Sequence, residues 1–163
     1  MKHKQRVDWH AGLNTGHRAI DLQHYELFSK TNELIAMHEA GQSTQALDDL
    51  LPSLKTYALF HFSEEETMLA RVAGGTESER QHVLQHREFA HDIEVWNQRR
   101  SSKTDTEIAE DLGHYLEIWL ISHIAVADQE LAHLVLAHET HDTPARQSAA
   151  WHQHRESFDV NRT

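Results

Sequence analysis

The sequence of 163 residues contains no cysteine, only 2 prolines and only 6 glycines. Without cysteine, disulfide bonds, thiolate metal sites and thiol catalysis are excluded. With so few prolines and glycines, the chain has few places at which it can turn. Long helices with few connections fit this scarcity better than a sheet of many strands, and the length favours a single domain with a real core.

Basic residues and long apolar runs are also scarce. The 15 lysines and arginines are outnumbered by 26 aspartates and glutamates, which gives a net charge of −11 with histidine neutral. Because no basic stripe is present to neutralise phosphates, we expect no binding to nucleic acid. The N-terminal segment lacks the apolar run of a secretory signal, and no segment approaches a membrane span. We therefore expect a soluble, cytoplasmic protein with no membrane partner.

Four segments repeat their apolar residues at the spacing of an amphipathic helix. They predict an all-α fold, an up-down-up-down antiparallel four-helix bundle with short connections. Pro52 lies inside the second segment, which therefore either kinks there or begins there. The segments cover about residues 21–39, 43–71, 77–99 and 104–131.

Polar stretches flank the four helices at both ends of the chain. We expect residues 1–141 to form the bundle domain, including an N-terminal arm over residues 1–20 that carries Trp9. Residues 142–163 have the composition of a polar, mobile tail. This tail is too short to form a further domain.

Histidine is abundant, with 16 in the chain, and it is the commonest metal ligand. The stretch HFSEEETML, residues 61–69, shows which of its polar side chains point inward. A helix advances about 100° per residue, which puts His61 on the apolar stripe and Glu65 about 40° round from it. Glu64 falls at the edge of the stripe and Glu66 on the solvent side. Because burying an unpaired charge is costly, Glu65 needs either an ion pair with His61 or a metal ion.

The other three helices also place histidine on the apolar stripe. His82 and His86 are four residues apart on the third helix, while His24 and His123 align with apolar residues of the first and fourth. Each of them alone is more often a hydrogen-bonded core histidine than a ligand. Five such histidines together with Glu65 leave too many imidazole nitrogens to satisfy without a cation, so the set predicts a metal site.

Asp128 follows His123 by five residues, about 140° round an ideal helix. At this spacing a regular helix cannot direct both side chains side by side at one ion. The spacing suits a carboxylate that bridges, or a local widening of the helix, which is common at functional sites. An ordinary surface aspartate explains it equally well, so the residue pattern leaves Asp128 open.

The ordered set of these motifs resembles the bacterial hemerythrins, the non-haem di-iron O₂-binding proteins built from four helices. The likeness covers about residues 7 to 137, and its specificity comes from the order of the motifs, each on its own helix. The matching pieces are the Trp9 arm, IDLQHYELF (20–28), HFSEEETM (61–68), HVLQH (82–86) and WLISHIAVAD (119–128).

The resemblance implies a cofactor of two iron ions, joined by an oxo or hydroxo bridge and held by seven protein ligands. Three histidines would be terminal ligands of one iron and two would be terminal ligands of the other. The open coordination position, on the iron with two histidines, is where the family binds O₂. Residue by residue, the first iron takes His82, His86 and His123, the second takes His24 and His61, and Glu65 and Asp128 bridge them.

The function implied by the resemblance is reversible O₂ binding, for carriage, storage or delivery, with no enzymatic turnover. The alternatives are a signalling module that senses O₂ or iron, and a di-iron oxidase or peroxidase. Ferritin-like oxidases use Glu-x-x-His pairs. Three pairs have this form, Glu79 with His82, Glu88 with His91 and Glu130 with His133, but Glu88 and Glu130 fall away from the stripe that carries the histidines. A chain so rich in histidine produces such matches by chance.

The resemblance also implies an apolar pocket for the gas. Phe62, Trp119 and Ile121 flank the ligand histidines in sequence and are our candidates for its walls. Ordinary core packing explains each of the three equally well. We expect a monomer whose partners are O₂ itself and a protein that uses O₂ or iron.

Overall fold

The protein, in a computed structural model, is described over residues 7–141. Within that range it forms four long helices and no strand, which confirms the predicted all-α bundle. Short connections make consecutive helices antiparallel, and α1 packs against α2 and α4 while α2 packs against α3. The helices are α1 (Arg18–Glu39), α2 (Leu51–Ala73), α3 (Glu77–Gln98) and α4 (Asp105–His141).

Residues 1–6 and 142–163 lie outside the described part of the chain. The predicted tail therefore stays a prediction, as do the first residues of the predicted arm. The rest of the arm, from residue 7, contains a short 3₁₀ turn at Ala11–Leu13 before α1 begins.

The ends of the helices follow from local chemistry. At the start of α4, the Thr104 hydroxyl accepts a hydrogen bond from the backbone N–H of Glu107, and the Glu107 carboxylate accepts one from the N–H of Thr104. This reciprocal pair satisfies donors that a helix start leaves without partners. Gly41 and Gly75 close the turns after α1 and α2 with φ of 77° and 79°, a region that other residues rarely adopt.

Two wider turns interrupt the regular helical hydrogen bonding. A π turn at Ala46–Leu50 leads into α2, and a second one at Ile124–Asp128 lies within α4. Pro52 was predicted either to kink the second helix or to mark its beginning, and the second prediction is correct. The regular part of α2 begins at Leu51, and Pro52 lies in its first turn, where the missing N–H costs least.

A polar layer separates two apolar clusters in the core. On α1, Ile20 belongs to the smaller cluster, Leu27 belongs to the larger one, and His24 lies between them. On α2 the order is reversed, from Ala58 in the larger cluster to Leu69 in the smaller, as antiparallel neighbours require. The apolar clusters therefore close the polar layer from both sides along the bundle.

The last helix, α4, is long and apolar enough by length and composition to cross a membrane, contrary to the expectation that no segment approaches a span. In this bundle, 44% of its most apolar window is buried inside the protein. The same helix carries the buried His123 and Asp128. Because a core helix of a soluble protein passes the same test, the finding is weak evidence for a membrane.

Candidate metal centre

The seven ligands suggested by the sequence come together in the polar layer of the core. Among residues 7–141 they are the only buried histidines, glutamates and aspartates, and none is more than 4% exposed. All four helices contribute to the set. Its members are His24, His61, Glu65, His82, His86, His123 and Asp128.

The candidate ligand atoms fall into two overlapping groups. Within each group, one ligand atom from every residue lies within 4.8 Å of the others. The two carboxylates belong to both groups, while each histidine belongs to one. The first group is Glu65, His82, His86, His123 and Asp128, and the second is His24, His61, Glu65 and Asp128.

The Asp128 carboxylate divides its two oxygens between the groups. Its Oδ1 lies 3.1 Å from Nε2 of His123 and 3.3 Å from Nε2 of His82. Its Oδ2 lies 2.9 Å from Nε2 of His24. One side chain can therefore present an oxygen to each of two metal positions.

The Glu65 carboxylate lies between the same two groups. Its Oε2 is 3.3 Å from Nε2 of His86, and its Oε1 is 3.6 Å from Nε2 of His24. Nε2 of His61 approaches Oε2, at 3.5 Å. Glu65 is fully buried, which confirms that it turns inward from the HFSEEETML stretch.

The widening of α4 predicted at Asp128 is confirmed. The π turn covers Ile124–Asp128, and a π turn contains more residues than an α-helical turn. The extra residue turns Asp128 back to the face of α4 that carries His123. A surface position for Asp128 is excluded, since the residue is fully buried.

The arrangement of donors fits a metal. Among the described residues, seven buried side-chain nitrogen and oxygen atoms have no hydrogen-bond partner, and an unmet polar atom in the core costs about 1–3 kcal/mol. A cation in the cluster would satisfy all of them except Nδ1 of His24, because one ring binds an ion through one nitrogen. The atoms are Nδ1 and Nε2 of His24, both oxygens of Glu65, Nε2 of His82 and both oxygens of Asp128.

Two of the candidate ligand histidines, His86 and His123, also face one another through their Nε2 atoms. Nδ1 of His123 lies 2.7 Å from Oε1 of Gln85, and Nδ1 of His86 lies 3.0 Å from Oε1 of Glu66. Both oxygens accept, so each Nδ1 carries a proton. The Nε2 atoms of the two rings lie 3.1 Å apart, and a cation bound by both of them would use the nitrogen lone pairs at this position.

The electrostatics of the cluster also require positive charge. Burial lowers the pKa of His24 and His82, but the carboxylates of Asp128 and Glu65 outweigh it and raise both to about 9. Burial also lowers the pKa of His61, to about 4, so this ring is neutral and its Nε2 lone pair can bind a metal ion. Burial raises the pKa of Glu65, but the imidazoles around it hold that pKa well below its ordinary value. Without a metal, protons on His24 and His82 therefore replace the cation.

Comparison with known proteins identifies the family to which this donor set belongs. Residues 15–135 match the model of the hemerythrin HHE cation binding domain. The chain belongs to the hemerythrin family. This is a family of di-iron proteins that bind O₂, so membership implies iron binding, and the buried cluster is the candidate site for it.

The hemerythrin identity rests on relatives as well as on the family model. A bacteriohemerythrin of Clostridium acetobutylicum is 29% identical over 125 residues, which cover 75% of this chain and 95% of the relative. Bacteriohemerythrins of Pseudomonas aeruginosa and Pseudomonas paraeruginosa are each 30% identical over 118 residues, covering 71% of this chain and 72% of the relative. The resemblance inferred from the motifs is thereby confirmed.

Three of the candidate ligand histidines are held at Nδ1 by neighbours that the sequence analysis missed. Each neighbour is adjacent in sequence to a ligand on a different helix, which was the one available signal. Such partners fix the ring orientation and the tautomer of a ligand histidine. The pairs are His61 with Gln23 at 2.8 Å, His123 with Gln85 at 2.7 Å and His86 with Glu66 at 3.0 Å.

The prediction that Glu66 lies on the solvent side is wrong in part. Its side chain is only 37% exposed and accepts the hydrogen bond from His86 on α3. The physical reason is that a helix in a bundle has neighbours on both sides of its core stripe, so a residue well off the stripe can still face another helix. Glu64 is exposed, as predicted.

Two of the three predicted pocket residues lie against rings of candidate ligand histidines. Phe62 stacks on His86, with ring centroids 3.9 Å apart, and Trp119 stacks on His123 at 4.4 Å. Both ligands belong to the group with three histidines. Ile121 is partly buried and packs against the larger apolar cluster. The role of these residues as walls of an O₂ pocket stays a prediction.

The arm covers the other group. The ring of Trp9 lies 6.1 Å from the ring of His24 and packs edge-on against Phe28 at 5.3 Å. The arm is fixed to α1 by Asn32, whose side chain accepts a hydrogen bond from the N–H of Val7 and donates one to its carbonyl. The sequence analysis identified Trp9 as part of the motif set shared with the family, but it did not predict the contact between Trp9 and His24.

Proposed function

We propose that this hemerythrin binds O₂ reversibly at two non-haem iron ions that share an oxo or hydroxo bridge. The ion on one side would be held by three histidines and the ion on the other side by two. Both carboxylates would bridge the pair. The assignment is His82, His86 and His123 to the first ion, His24 and His61 to the second, and Glu65 and Asp128 to both.

The observation that carries the proposal is the division of the Asp128 oxygens between the groups. With Oδ1 beside His82 and His123 and Oδ2 beside His24, one buried carboxylate serves two donor sets. A single ion would leave one of these sets without a partner. The overlap of the two groups at both carboxylates supports two ions in the same way.

The two donor groups are unequal, and this bears on where a gas can bind. Five residues supply the first group and four supply the second, so octahedral iron would have a spare position on the side of His24 and His61. When bound, a pair of ferrous ions supplies the two electrons that O₂ takes up reversibly. The chain contributes a closed surrounding, because His24 is completely buried and Trp9 lies against its ring.

The donor set supports O₂ carriage or storage over oxidase activity. Ferritin-like oxidases draw additional glutamates from Glu-x-x-His pairs into their sites. Here the Glu79 carboxylate accepts a hydrogen bond from the N–H of Gly75, and the Glu130 carboxylate accepts one from Ser78. Both are engaged outside the cluster. We therefore propose a binding protein, which delivers O₂ to a consumer or holds it, in preference to an enzyme.

The test is to load the metal-free protein with ferrous iron under argon, admit air and then remove the gas. We expect about two irons per chain and visible charge-transfer absorption that arises with O₂ and disappears when O₂ is removed. Steady consumption of O₂ with oxidation of an added reductant would instead establish an oxidase. Irreversible bleaching after one exposure, with no recovery under argon, would contradict carriage.

A further inference from the structure

The hydrogen-bond partners of the ligand histidines differ in charge. Oε1 of Gln23 accepts from His61 and Oε1 of Gln85 accepts from His123, and both of these partners are neutral amides. The partner of His86 is the carboxylate of Glu66. The metal position with three histidines therefore has an anion behind one of its ligands.

The orientation of His86 does not depend on that anion alone. One face of its ring stacks on Phe62, with ring planes 10° apart and centroids 3.9 Å apart. Phe62 is itself fixed by the larger apolar cluster, where it packs edge-on against Phe89 at 5.4 Å. The position of the His86 ring and the charge behind it are thus set by different side chains and can be separated by mutation.

A carboxylate at Nδ1 changes what the ring donates at Nε2. A hydrogen bond from Nδ1–H to an anion shifts electron density through the ring and makes Nε2 a stronger donor to a metal. The negative charge of the carboxylate also stabilises ferric iron more than ferrous iron. Protein surroundings weaken this interaction less than water does. The Glu66 side chain is 37% exposed, and its Oε1 lies 3.0 Å from Nδ1 of His86.

We propose that Glu66 is a positioning residue whose charge, acting through His86, lowers the reduction potential of the iron held by three histidines. The inference rests on the proposed iron centre and goes beyond it by assigning control of the oxidation state to a residue that is not a ligand. Glu66 thereby makes iron a better electron donor to O₂, and it also makes permanent oxidation easier.

The rate at which the iron is permanently oxidised in air is a second measurable consequence of the Glu66 charge. In that reaction the two ferrous ions lose one electron each to O₂, which takes up two protons from solvent and leaves as hydrogen peroxide. A lower reduction potential accelerates this loss. Removing the Glu66 charge should therefore slow it, while leaving the iron ligands unchanged.

The experiment compares Glu66→Gln with Glu64→Gln in the full-length, iron-loaded protein. Glutamine at 66 can still accept from His86, as glutamines 23 and 85 do for their histidines, so only the charge is lost. Glu64 is exposed two residues away, and Glu64→Gln changes the net charge by the same amount. The readouts are iron content, the reduction potential from an anaerobic dye-mediated titration, and the rate of conversion to ferric protein in air.

We expect Glu66→Gln to keep its iron, to shift the potential upward and to slow oxidation in air by about tenfold, a change of the size that such partners make to metal affinity or activity. Glu64→Gln should match the unmodified protein. In the double variant Glu66→Gln/Gln85→Glu, a carboxylate returns to the same metal position through His123. This variant should move the potential back downward.

Three outcomes would overturn the inference. One is equal potentials in Glu66→Gln and Glu64→Gln, and another is loss of iron in Glu66→Gln, which would assign Glu66 a holding role only. The third is an unmodified protein that binds no iron, which would end the proposed function as well. A protein that loads iron and shows the potential shift, but does not bind O₂ reversibly, would overturn the proposed function and leave this inference standing.

Discussion

Asp128 and His123 lie on the same helix five residues apart, yet Oδ1 of Asp128 is 3.1 Å from Nε2 of His123. A regular α-helix would separate the two side chains by about 140°. The π turn at Ile124–Asp128 removes this separation by adding a residue to the turn. The geometry of the candidate centre therefore depends on an irregularity in α4 as well as on the residues that it carries.

Exchanging two residues tests the π turn directly. In the variant Ala127→Asp/Asp128→Ala, the carboxylate moves to the position that a regular α-helix would direct toward His123. Because the widened turn directs residue 128 into the cluster, we expect the exchanged protein to lose most of its iron. Iron content per folded chain, with helicity checked by circular dichroism, is the measurement. Full iron loading in the exchanged variant would show that α4 can adopt regular geometry at no cost to the site.

The glutamate run in HFSEEETML provides a matched pair of variants. Oxygens of Glu65 approach histidines of both groups, so Glu65→Ala should remove both irons together. Glu64 is exposed, and Glu64→Ala should retain both. The measurement is iron per chain after loading and desalting. A Glu65→Ala protein that keeps one iron would mean that Glu65 serves a single metal position.

Removing the metal should destabilise the protein. The buried oxygens of Glu65 and Asp128 would lose their bonds to metal, and protons on His24 and His82 would replace only part of the positive charge. Ferrous iron at a hundred times its dissociation constant should add about 2.7 kcal/mol to the free energy of unfolding. Thermal unfolding under argon, with iron and then with a chelator, measures the difference. The Glu65→Ala protein is the control and should melt at the same temperature in both conditions.

Phe62 and Phe60 form a second matched pair, two residues apart on α2. Phe62 is buried and stacks on His86, whereas Phe60 is 50% exposed. Phe62→Ala should lower the free energy of unfolding by about 3–5 kcal/mol because it leaves a cavity beside a ligand. Phe60→Ala should stay within about 0.5 kcal/mol of the unmodified protein. Urea denaturation of the metal-free proteins measures both, and equal losses would mean that the packing around His86 contributes little stability.

Sequence periodicity predicted the four helices and the inward face of each with few errors. The five histidines and Glu65 all lie where the helical wheel puts them, because side-chain direction along a regular helix depends only on local backbone geometry. The helical wheel was wrong in part for Glu66, which is 37% exposed but also contacts His86 on α3. It could not decide Asp128, whose direction depends on a turn that is not regular.

The sequence by itself determined the fold class, the burial of the candidate ligand residues and, through its motifs, membership of the hemerythrin family. These follow from local helical geometry and from residue order. The tertiary structure decided which oxygen of Asp128 faces which histidine, and it paired Glu66 with His86 and Trp9 with His24. Such pairings arise between helices that are distant along the chain. Their packing offsets are fixed by side-chain shape across the whole core, which no local repeat in the sequence encodes.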